Sequence, residues 1–275
     1  VAIDLIHKHQ ATFTMASTPF LNDLSEAVME SHQSLDSLKL FLCAGAPIPS
    51  TLVQKARQNM GVKVISAWGM TECGAVTMTC PEDDDERSFN TDGLPLPGVE
   101  VKIVGDDGET LAPMQSGTLM IRCCSNFGGY LKRPHLNETN AEDWFDTGDI
   151  AYQDEQGYIR IAGRKKDVII SGGENLYPVQ IEDFIREYNA VKDVAVIGLP
   201  DKRLGEKAAA IIEIKDGFEC TIEDIEKFCL KLPRYKRPKE IIFADIPRNP
   251  TGKIEKPKLR KMYCGESLVA AQNRG

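Results

Sequence analysis

The chain has 275 residues, of which 42% are apolar and 27% are charged, and its formal net charge at pH 7 is -8. This length and composition predict a globular protein of about two domains, each able to bury a core. The acidic balance argues against an extended nucleic-acid-binding surface. No apolar run approaches the ~18 to 20 residues of a membrane-spanning helix, and no signal-peptide pattern is seen, so we expect a cytoplasmic protein.

The cysteines and histidines show no catalytic or metal-binding pattern. Eight cysteines are present, but none forms a CxxC pair and none has a histidine at metal-ligand spacing. We expect reduced thiols, most of them small core residues. The four histidines lie away from any Gly-x-Ser-x-Gly motif, which argues against Ser-His-Asp hydrolysis.

The first third of the chain alternates extended and helical patterns. The predicted order is strand 13–16, a helix with Leu21, Leu24 and Val28 on one face, strand 38–43, a helix from Ser50 to Gly61, and strand 62–65. This β-α-β-α-β order predicts a parallel sheet, and ligands of such sheets bind where strands end. Segments 44–47 and 67–74 are therefore the predicted ligand loops.

The second of these loops belongs to the stretch SAWGMTECG, residues 66–74. Trp68 offers a planar face for a base, Thr71 a hydroxyl for a phosphoryl oxygen, and Glu72 a hard oxygen ligand for Mg²⁺. Taken alone, the stretch is also typical of a strand exit with a buried Trp and a Thr-Glu pair that starts a helix.

Between Val99 and Ala162 the hydrophobic period falls to two, which predicts an antiparallel, barrel-like β layer. Within it, DTGD at 146–149 places the Asp149 carboxylate after a glycine, where it could accept both hydroxyls of a ribose. Taken alone, the stretch is interpreted as just a turn. The acidic run EDDDE at 82–86 is interpreted as a solvated loop rather than a cation site, because no spaced ligand pattern accompanies it.

After residue 164 the pattern becomes α+β, which places a domain boundary there. Arg164 provides a fork-shaped guanidinium at this junction. The pair Gly172–Gly173 predicts a hairpin or bulge whose missing side chains allow close approach of a ligand. PTGKI at 250–254 places Lys253 on a tight turn. Taken alone, Arg164 is also typical of a surface arginine, and a simple tight turn explains the Gly-Gly pair about equally well. A surface turn is the usual explanation for a lysine such as Lys253.

Together, the order and spacing of AWGMTE, DTGD, GRKKDVIISGGENLYPVQIE and PRNPTGKIEK resemble the adenylate-forming enzymes, over about residues 13–262. With STPFLNDL, LCAGAPIP and NTDGLPLPGVEVKIV, the chain is most similar to short- to medium-chain fatty acyl-CoA ligases and cyclohexanecarboxylate-CoA ligases. The resemblance implies that residues 1–164 are the C-terminal part of a large AMP-binding domain, with a parallel αβ layer and an antiparallel barrel-like layer. Residues 165–275 would form a small mobile α+β lid domain.

The resemblance also implies the chemistry. A short- or medium-chain carboxylic acid would react with ATP, in the presence of Mg²⁺, to give acyl-AMP, and the acyl group would pass to CoA. By this resemblance, the adenine and acyl pocket would be lined by Gly45, Ala46 and Pro47, and Trp68, beside Gly69, would pack on adenine. Thr71 would bind the α-phosphate, Glu72 would bind Mg²⁺, and Asp149 and Arg164 would hold the ribose. Lys166 would be the hinge, Gly172 and Gly173 would line the pantetheine tunnel, and Lys253 would be the catalytic lysine.

Some features depart from the family pattern. No stretch matches the family's phosphate loop of the TSGTTG-x-PKG type, so we expect that an upstream portion is missing and that this chain alone is inactive. Trp68 stands where relatives commonly carry Tyr, and Lys166 where many carry Asp. Two alternatives stay open: an adenylation domain that loads a carrier protein, and a non-catalytic fragment. No oligomeric state is predicted.

Overall fold

The computed structural model describes residues 1–45, 48–250 and 252–264. Contacts divide the chain into two compact units, Val1–Ala162 and Gly163–Gly275. In the part of the chain that is described, no helix is long and apolar enough to cross a bilayer.

The first unit begins with a five-stranded sheet and its helices. The elements are α1 (Ala2–His9), β1 (Phe13–Ala16), α2 (Thr18–Ser31), β2 (Leu40–Ala44), α3 (Ser50–Met60), β3 (Lys63–Met70), β4 (Gly74–Met78), α4 (Asp85–Asn90) and β5 (Leu94–Pro95). The strand order is β1-β2-β3-β4-β5, with β1, β2 and β3 parallel. The predicted β-α-β-α-β sheet is confirmed, and α2 buries Leu21, Leu24 and Val28 as expected.

The predicted loop at 67–74 is wrong, because β3 continues to Met70 and β4 begins at Gly74. The two strands are antiparallel and joined by a short turn at 71–73, so no helix starts there either. A register shift lies between Trp68 and Gly69. A Cβ atom at Gly69 would approach the Gly74 carbonyl oxygen to 2.1 Å, so glycine permits this close pairing. The strand therefore continues through Gly69, although glycine is uncommon inside strands.

A second sheet completes the unit, with strand order β6-β7-β8-β9. Its strands are β6 (Val99–Val104), β7 (Gly117–Cys123), β8 (Phe145–Gln153) and β9 (Ile159–Arg164). The interpretation of DTGD as a turn is wrong, because residues 146–149 lie inside β8 at a register shift against β7. Gly148 has φ +68° at this irregularity, a conformation that glycine adopts in bulges as well as in turns. The glycine in DTGD therefore marks a bulge inside the strand.

The acidic run 82–86 is only in part a loop. α4 begins at Asp85, and the side chain of Asp84 caps the helix by accepting a hydrogen bond from the Arg87 amide at 2.8 Å. Acceptor side chains at a helix N-terminus satisfy amides that have no partner inside the helix. Part of the acidic run thus serves as a helix start.

The second unit is a mixed sheet with helices on both faces. Its elements are β10 (Ile169–Ser171), β11 (Glu174–Leu176), α5 (Pro178–Arg186), β12 (Val191–Asp201), β13 (Gly205–Ile214), α6 (Ile222–Cys229), β14 (Glu240–Phe243) and α7 (Lys256–Cys264). Val194 and Val196 of β12 pack with α5 and α6, whereas Ala195 and Ile197 pack with Leu259 of α7. Because side chains alternate along a strand, these two sets occupy opposite faces. The predicted α+β character of this half is confirmed.

Candidate active site

The β3–β4 hairpin carries three of the predicted ligand residues. Trp68 is half-buried in β3, Thr71 is exposed in the turn, and Glu72 follows it half-buried. The bulge beside Gly69 changes the pairing just before this turn. The hairpin therefore presents an aromatic ring, a hydroxyl and a carboxylate within five consecutive residues.

Trp68 is joined to Asp149 across a large distance in sequence. The indole Nε1 donates a hydrogen bond of 3.0 Å to Oδ2 of Asp149, which lies 81 residues further along the chain. Asp149 is only 4% exposed, and its amide donates to the Thr147 hydroxyl at 3.1 Å. The structure therefore brings together two residues that were each predicted to contact a nucleoside.

Glu72 is held by a segment that the sequence analysis did not single out. The Tyr130 hydroxyl donates to Oε1 of Glu72 at 2.6 Å, and the Phe127 amide donates to the Glu72 carbonyl at 2.7 Å. The Phe127 ring lies 4.7 Å from that of Tyr130 and 5.6 Å from that of Phe145, edge-on in both pairs. The local signal for this segment is the run NFGGY at 126–130, in which two glycines separate two aromatic residues.

The neighbouring Cys73 is a structural residue. It is fully buried in the turn, and burial raises the pKa of its thiol to about 11. Its carbonyl accepts a hydrogen bond of 2.6 Å from Ser125. A thiol with so high a pKa is a poor nucleophile at neutral pH, so Cys73 packs the turn rather than reacting.

Glu72 fits the requirements of a magnesium ligand. Within the described ranges, no group of three His, Cys, Asp or Glu side chains could hold a metal on its own. Mg²⁺ is commonly held by one or two carboxylates together with substrate phosphates. An ionised carboxylate has about four lone-pair sites, so the hydrogen bond from Tyr130 leaves Glu72 able to accept more. A single half-buried carboxylate beside an exposed hydroxyl suits a metal shared with phosphates.

The other predicted loop follows β2. Gly45 is exposed with φ +87°, a conformation that favours glycine. Its neighbour Ala44 pairs with Ala67 of β3, so Gly45 lies at the same edge of the sheet as Trp68. The predicted residues Ala46 and Pro47 lie outside the described residues.

The remaining predicted residues lie in the second unit. Arg164 ends β9, and Lys166 lies in a short 3-10 turn, Lys165–Asp167; both side chains are exposed. Arg260 of α7 donates to the Asp167 carboxylate at 2.8 Å, and both of these side chains are largely buried. The 3-10 turn is thus attached to α7 through Asp167.

The predicted glycine hairpin joins β10 to β11. Gly172 and Gly173 have φ of +62° and +89°, and the flanking residues Ser171 and Glu174 pair with each other. The Gly172 amide donates to the Leu204 carbonyl at 2.8 Å. A Cβ atom on Gly173 would meet nothing within 4 Å, so the space above this glycine is open. The hairpin suits close approach of a narrow ligand chain.

Lys253 is exposed on a tight turn, as predicted from PTGKI. The Asn249 amide donates to the Lys253 carbonyl at 2.9 Å, and the Lys253 amide donates to Oδ1 of Asn249 at 2.9 Å. Gly252 has φ +83°, and its amide donates to the Asn249 carbonyl at 2.9 Å. The turn holds its backbone by local bonds and presents the ammonium group to solvent.

The glycine hairpin and the Lys253 turn lie at opposite ends of β12. Ser171 pairs with Gly205, which pairs with Asp201 at the end of β12, whereas Arg248 beside the Lys253 turn bonds to Asp193 near its start. Asp193 and Asp201 are eight steps apart along an extended chain, a span of about 25 Å. These two predicted functional features are thus well separated within one unit.

Both halves of the chain match models of one enzyme family. The AMP-binding enzyme model matches residues 1–131, and the AMP-binding enzyme C-terminal domain model matches residues 180–253. The chain belongs to the AMP-binding enzyme family. The residue matches fall on both compact units, so each unit has its counterpart in the family.

Relatives of this AMP-binding chain include two medium-chain ligases. The chain is 34% identical to a medium-chain fatty-acid–CoA ligase of Escherichia coli (strain K12), covering 94% of this chain and 46% of the relative. It is 35% identical to a mitochondrial medium-chain acyl-CoA ligase of Homo sapiens, covering 94% and 43%. The chain therefore spans about half the length of the curated relatives it matches.

Solved structures of adenylate-forming enzymes share the fold. ATP-bound MatB from Rhodopseudomonas palustris superposes with a TM-score of 0.89 at 29% identity, covering 98% of this chain and 53% of that one. The o-succinylbenzoate CoA synthetase of Bacillus subtilis, in complex with its acyl-adenylate intermediate, gives a TM-score of 0.84 at 29% identity, covering 94% and 53%. The predicted fold class is confirmed.

Proposed function

We propose that this protein is an AMP-forming acid–thiol ligase that activates a short- or medium-chain carboxylic acid and transfers it to CoA. A carboxylate oxygen of the acid attacks the α-phosphorus of ATP, and pyrophosphate leaves. The CoA sulfur then attacks the carbonyl carbon of the acyl-AMP, and AMP leaves. The observation that carries the proposal is the Trp68–Asp149 hydrogen bond, which unites two predicted nucleoside contacts beside Glu72.

In the first unit, each side chain has a distinct part in this proposal. The Trp68 ring packs on adenine, and the Asp149 carboxylate accepts hydrogen bonds from the ribose hydroxyls. The Thr71 hydroxyl donates to an α-phosphate oxygen, and Glu72 is the protein ligand for Mg²⁺. The bound ion would neutralise phosphate charge and orient the α-phosphorus for attack. The indole and Tyr130 bonds keep both carboxylates in place before substrate arrives.

In the second unit, we assign Lys253 to the first half-reaction and the glycine hairpin to the second. The ammonium group of Lys253 stabilises charge that develops at the α-phosphate, and the open backbone of Gly172–Gly173 borders the path of the CoA thiol. Because these features lie about 25 Å apart along β12, one site cannot use both in a single arrangement. A lid movement of residues 165–275, with its hinge at Lys166 and with Arg164 toward the ribose, would exchange them.

The domain division in this proposal is tested by limited proteolysis. Lys165 and Lys166 are exposed, so trypsin is expected to cut there first and to leave a stable fragment of about 100 residues, within the size range of small domains. Preferential cutting inside either unit, with the 165–166 bond intact, would argue against the division.

Nucleoside binding can be tested on this chain directly, because Trp68 and Trp144 are its two tryptophans. In a Trp144→Phe background, AMP is expected to change the Trp68 fluorescence in a saturable way. Asp149→Asn should weaken AMP binding about tenfold, since it removes a charged acceptor, and should reduce the preference for AMP over 2′-deoxy-AMP. Asp143→Asn, at an exposed aspartate, is the matched control.

The reaction itself is tested on a protein that contains this chain and spans the whole length of the curated relatives, called the full-length protein below. Hydroxamate trapping with acids of graded chain length detects acyl-AMP, and supplying CoA or a carrier protein identifies the acceptor. We expect short- to medium-chain acids and CoA to be used. Because no phosphate-loop sequence is present in this chain, we expect no acyl-AMP from it alone. The proposal would be contradicted if the full-length protein formed no hydroxamate with any acid. It would also be contradicted if AMP left the Trp68 fluorescence of this chain unchanged.

A further inference from the structure

Arg248 connects the Lys253 turn to the core of the second unit. Its Nη1 donates to the carbonyl oxygen of Gly252 at 3.1 Å, and its Nη2 is paired with Oδ2 of Asp193 on β12. The Gly252 carbonyl belongs to the peptide that leads directly into Lys253. One planar guanidinium thus joins a core strand to the backbone just before the proposed catalytic lysine.

Asp193 is itself held by a second arginine. Nε of Arg186 donates to Oδ1 of Asp193 at 2.9 Å, while the same guanidinium bonds to Asp183 at 2.9 Å and to the Val194 carbonyl at 3.2 Å. Arg186 and Asp193 are 14% and 16% exposed. Burial opposes ionisation of Asp193, but Arg186 and Arg248 outweigh it and lower the pKa of its carboxyl. The anchor point is therefore a charged, immobile group at neutral pH.

A further ion pair holds the chain on the other side of the turn. Nζ of Lys256, in the first turn of α7, lies 2.7 Å from Oε1 of Glu182 on α5. Glu182 is 4% exposed and also accepts from the Val196 amide at 2.7 Å. The turn that contains Lys253 is thus fastened at both ends to buried carboxylates.

Stability alone does not account for this arrangement. Removing charges from water is costly, and a buried ion pair commonly stabilises a fold no more than apolar side chains of the same shape would. What a guanidinium adds is direction, because its rigid fork can bond a carboxylate and a carbonyl at the same time. The local bonds of Asn249 close the turn, and the Glu255 amide pairs its two flanks by donating to the Pro247 carbonyl at 2.9 Å. Arg248 adds a bond to the carbonyl of the Gly252–Lys253 peptide itself.

We propose that Arg248, anchored by Asp193, is a positioning residue that sets the direction in which Lys253 is presented to the α-phosphate. This inference rests on the proposed function of Lys253. Without the fork the Gly252–Lys253 peptide loses its bond to the Arg248–Asp193 pair, so the local bonds of the turn open more often and the direction of Lys253 varies. A displacement of about 1 Å at a reacting group can cost on the order of 100-fold in rate. Arg248 does not touch substrate in this scheme.

The first test uses this chain and needs no activity. Solvent-exchange NMR of the Gly252 and Lys253 amides should show at least tenfold faster exchange in Arg248→Ala, with the amides of β13 unchanged. Arg248→Lys should not restore slow exchange, because one ammonium cannot span both acceptors. Lys192→Ala, beside Asp193 but paired with Glu213 at the surface, is the matched control and should leave these amides unchanged.

The second test uses the full-length protein and separates positioning from general damage. Arg248→Ala should lower kcat for acyl-AMP formation by about 10- to 100-fold, with KM for ATP within twofold and unchanged transfer from supplied acyl-AMP to CoA. A merely destabilised lid would slow both steps together.

The outcomes distinguish the role proposed for Arg248 from the role proposed for Lys253. If Lys253→Ala slows acyl-AMP formation but Arg248→Ala does not, the positioning inference alone is wrong. If Lys253→Ala has no effect, the proposed role of the lysine fails and the inference fails with it. Unchanged amide exchange in Arg248→Ala, or full recovery by Arg248→Lys, also overturns it.

Discussion

The hairpin that carries Trp68 and Glu72 and the turn that carries Lys253 are held in different ways. Trp68 bonds to a residue 81 positions away and Glu72 to one 58 positions away. The Lys253 turn closes on itself through Asn249 and reaches the core through Arg248. The first arrangement fixes its side chains by bonds to distant parts of the chain, whereas the second presents one charge on a turn closed by local bonds. Under the proposed function, the first would hold the nucleoside in both half-reactions and the second would serve only one of them.

The largest effect is expected from the loss of the lysine that the turn presents. Lys253→Ala in the full-length protein should slow acyl-AMP formation by about 10² to 10³-fold, as when one donor to a developing anion is removed. Thioester formation from supplied acyl-AMP should continue. Pyrophosphate release and CoA consumption measure the two steps. If Lys253→Ala slowed both steps equally while the fold stayed intact, the assignment of the Lys253 turn to the first half-reaction and of the glycine hairpin to the second would be wrong.

The glycine hairpin should give the opposite signature. Gly173→Leu places a side chain in space that is open in the structure, so it should slow transfer to CoA by about tenfold or more and leave acyl-AMP formation near normal. Gly217→Leu is the matched control, because Gly217 also has a positive φ and open space but lies in the turn before α6. A similar loss in both variants would indicate backbone strain rather than obstruction.

The anchor of the Lys253 turn should give the second unit a dependence on acid. Because Arg186 and Arg248 lower the folded-state pKa of Asp193 against the effect of burial, its stabilisation is complete above the unfolded-state pKa of about 4. That stabilisation is lost as pH falls through the lower folded-state pKa. Asp193→Asn should cost about 2 kcal/mol at pH 7 and flatten the acid side of the stability profile.

Urea unfolding between pH 3 and 7 measures this dependence. Asp216→Asn, at an exposed aspartate of the same unit, should reproduce the wild-type profile. An Asp193→Asn profile that matches the wild type would show that the network does not couple to folding.

The smallest effect is expected at a helix cap that lies away from both functional regions. Thr221 accepts a hydrogen bond from the Asp224 amide at 3.2 Å, and the Asp224 side chain accepts from the Thr221 amide at 3.0 Å. Thr221→Ala should lower the free energy of unfolding by about 1 kcal/mol, and Thr221→Ser should restore most of it. Either variant should leave the rates of both half-reactions unchanged. A selective loss of one half-reaction would show that this helix cap, too, affects catalysis.

Local sequence patterns predicted the features that depend on neighbouring residues. The apolar face of α2 and the Gly172–Gly173 hairpin follow from helical period and from the positive φ that glycine permits, within a few residues. The interpretation failed where pairing with a distant strand overrode local residue types. β3 continues through Gly69 because β4 accepts it, and DTGD lies within β8 because β7 pairs across its bulge.

The sequence by itself determined the family and the types of side chain at the predicted site, because these depend on residue identity and order. Only the tertiary structure decided that Trp68 bonds to Asp149, that Tyr130 holds Glu72 and that Arg248 ties the Lys253 turn to Asp193. These contacts join residues 55 to 81 positions apart. No local spacing encodes such a meeting, because it depends on how strands pair and sheets pack along the whole chain.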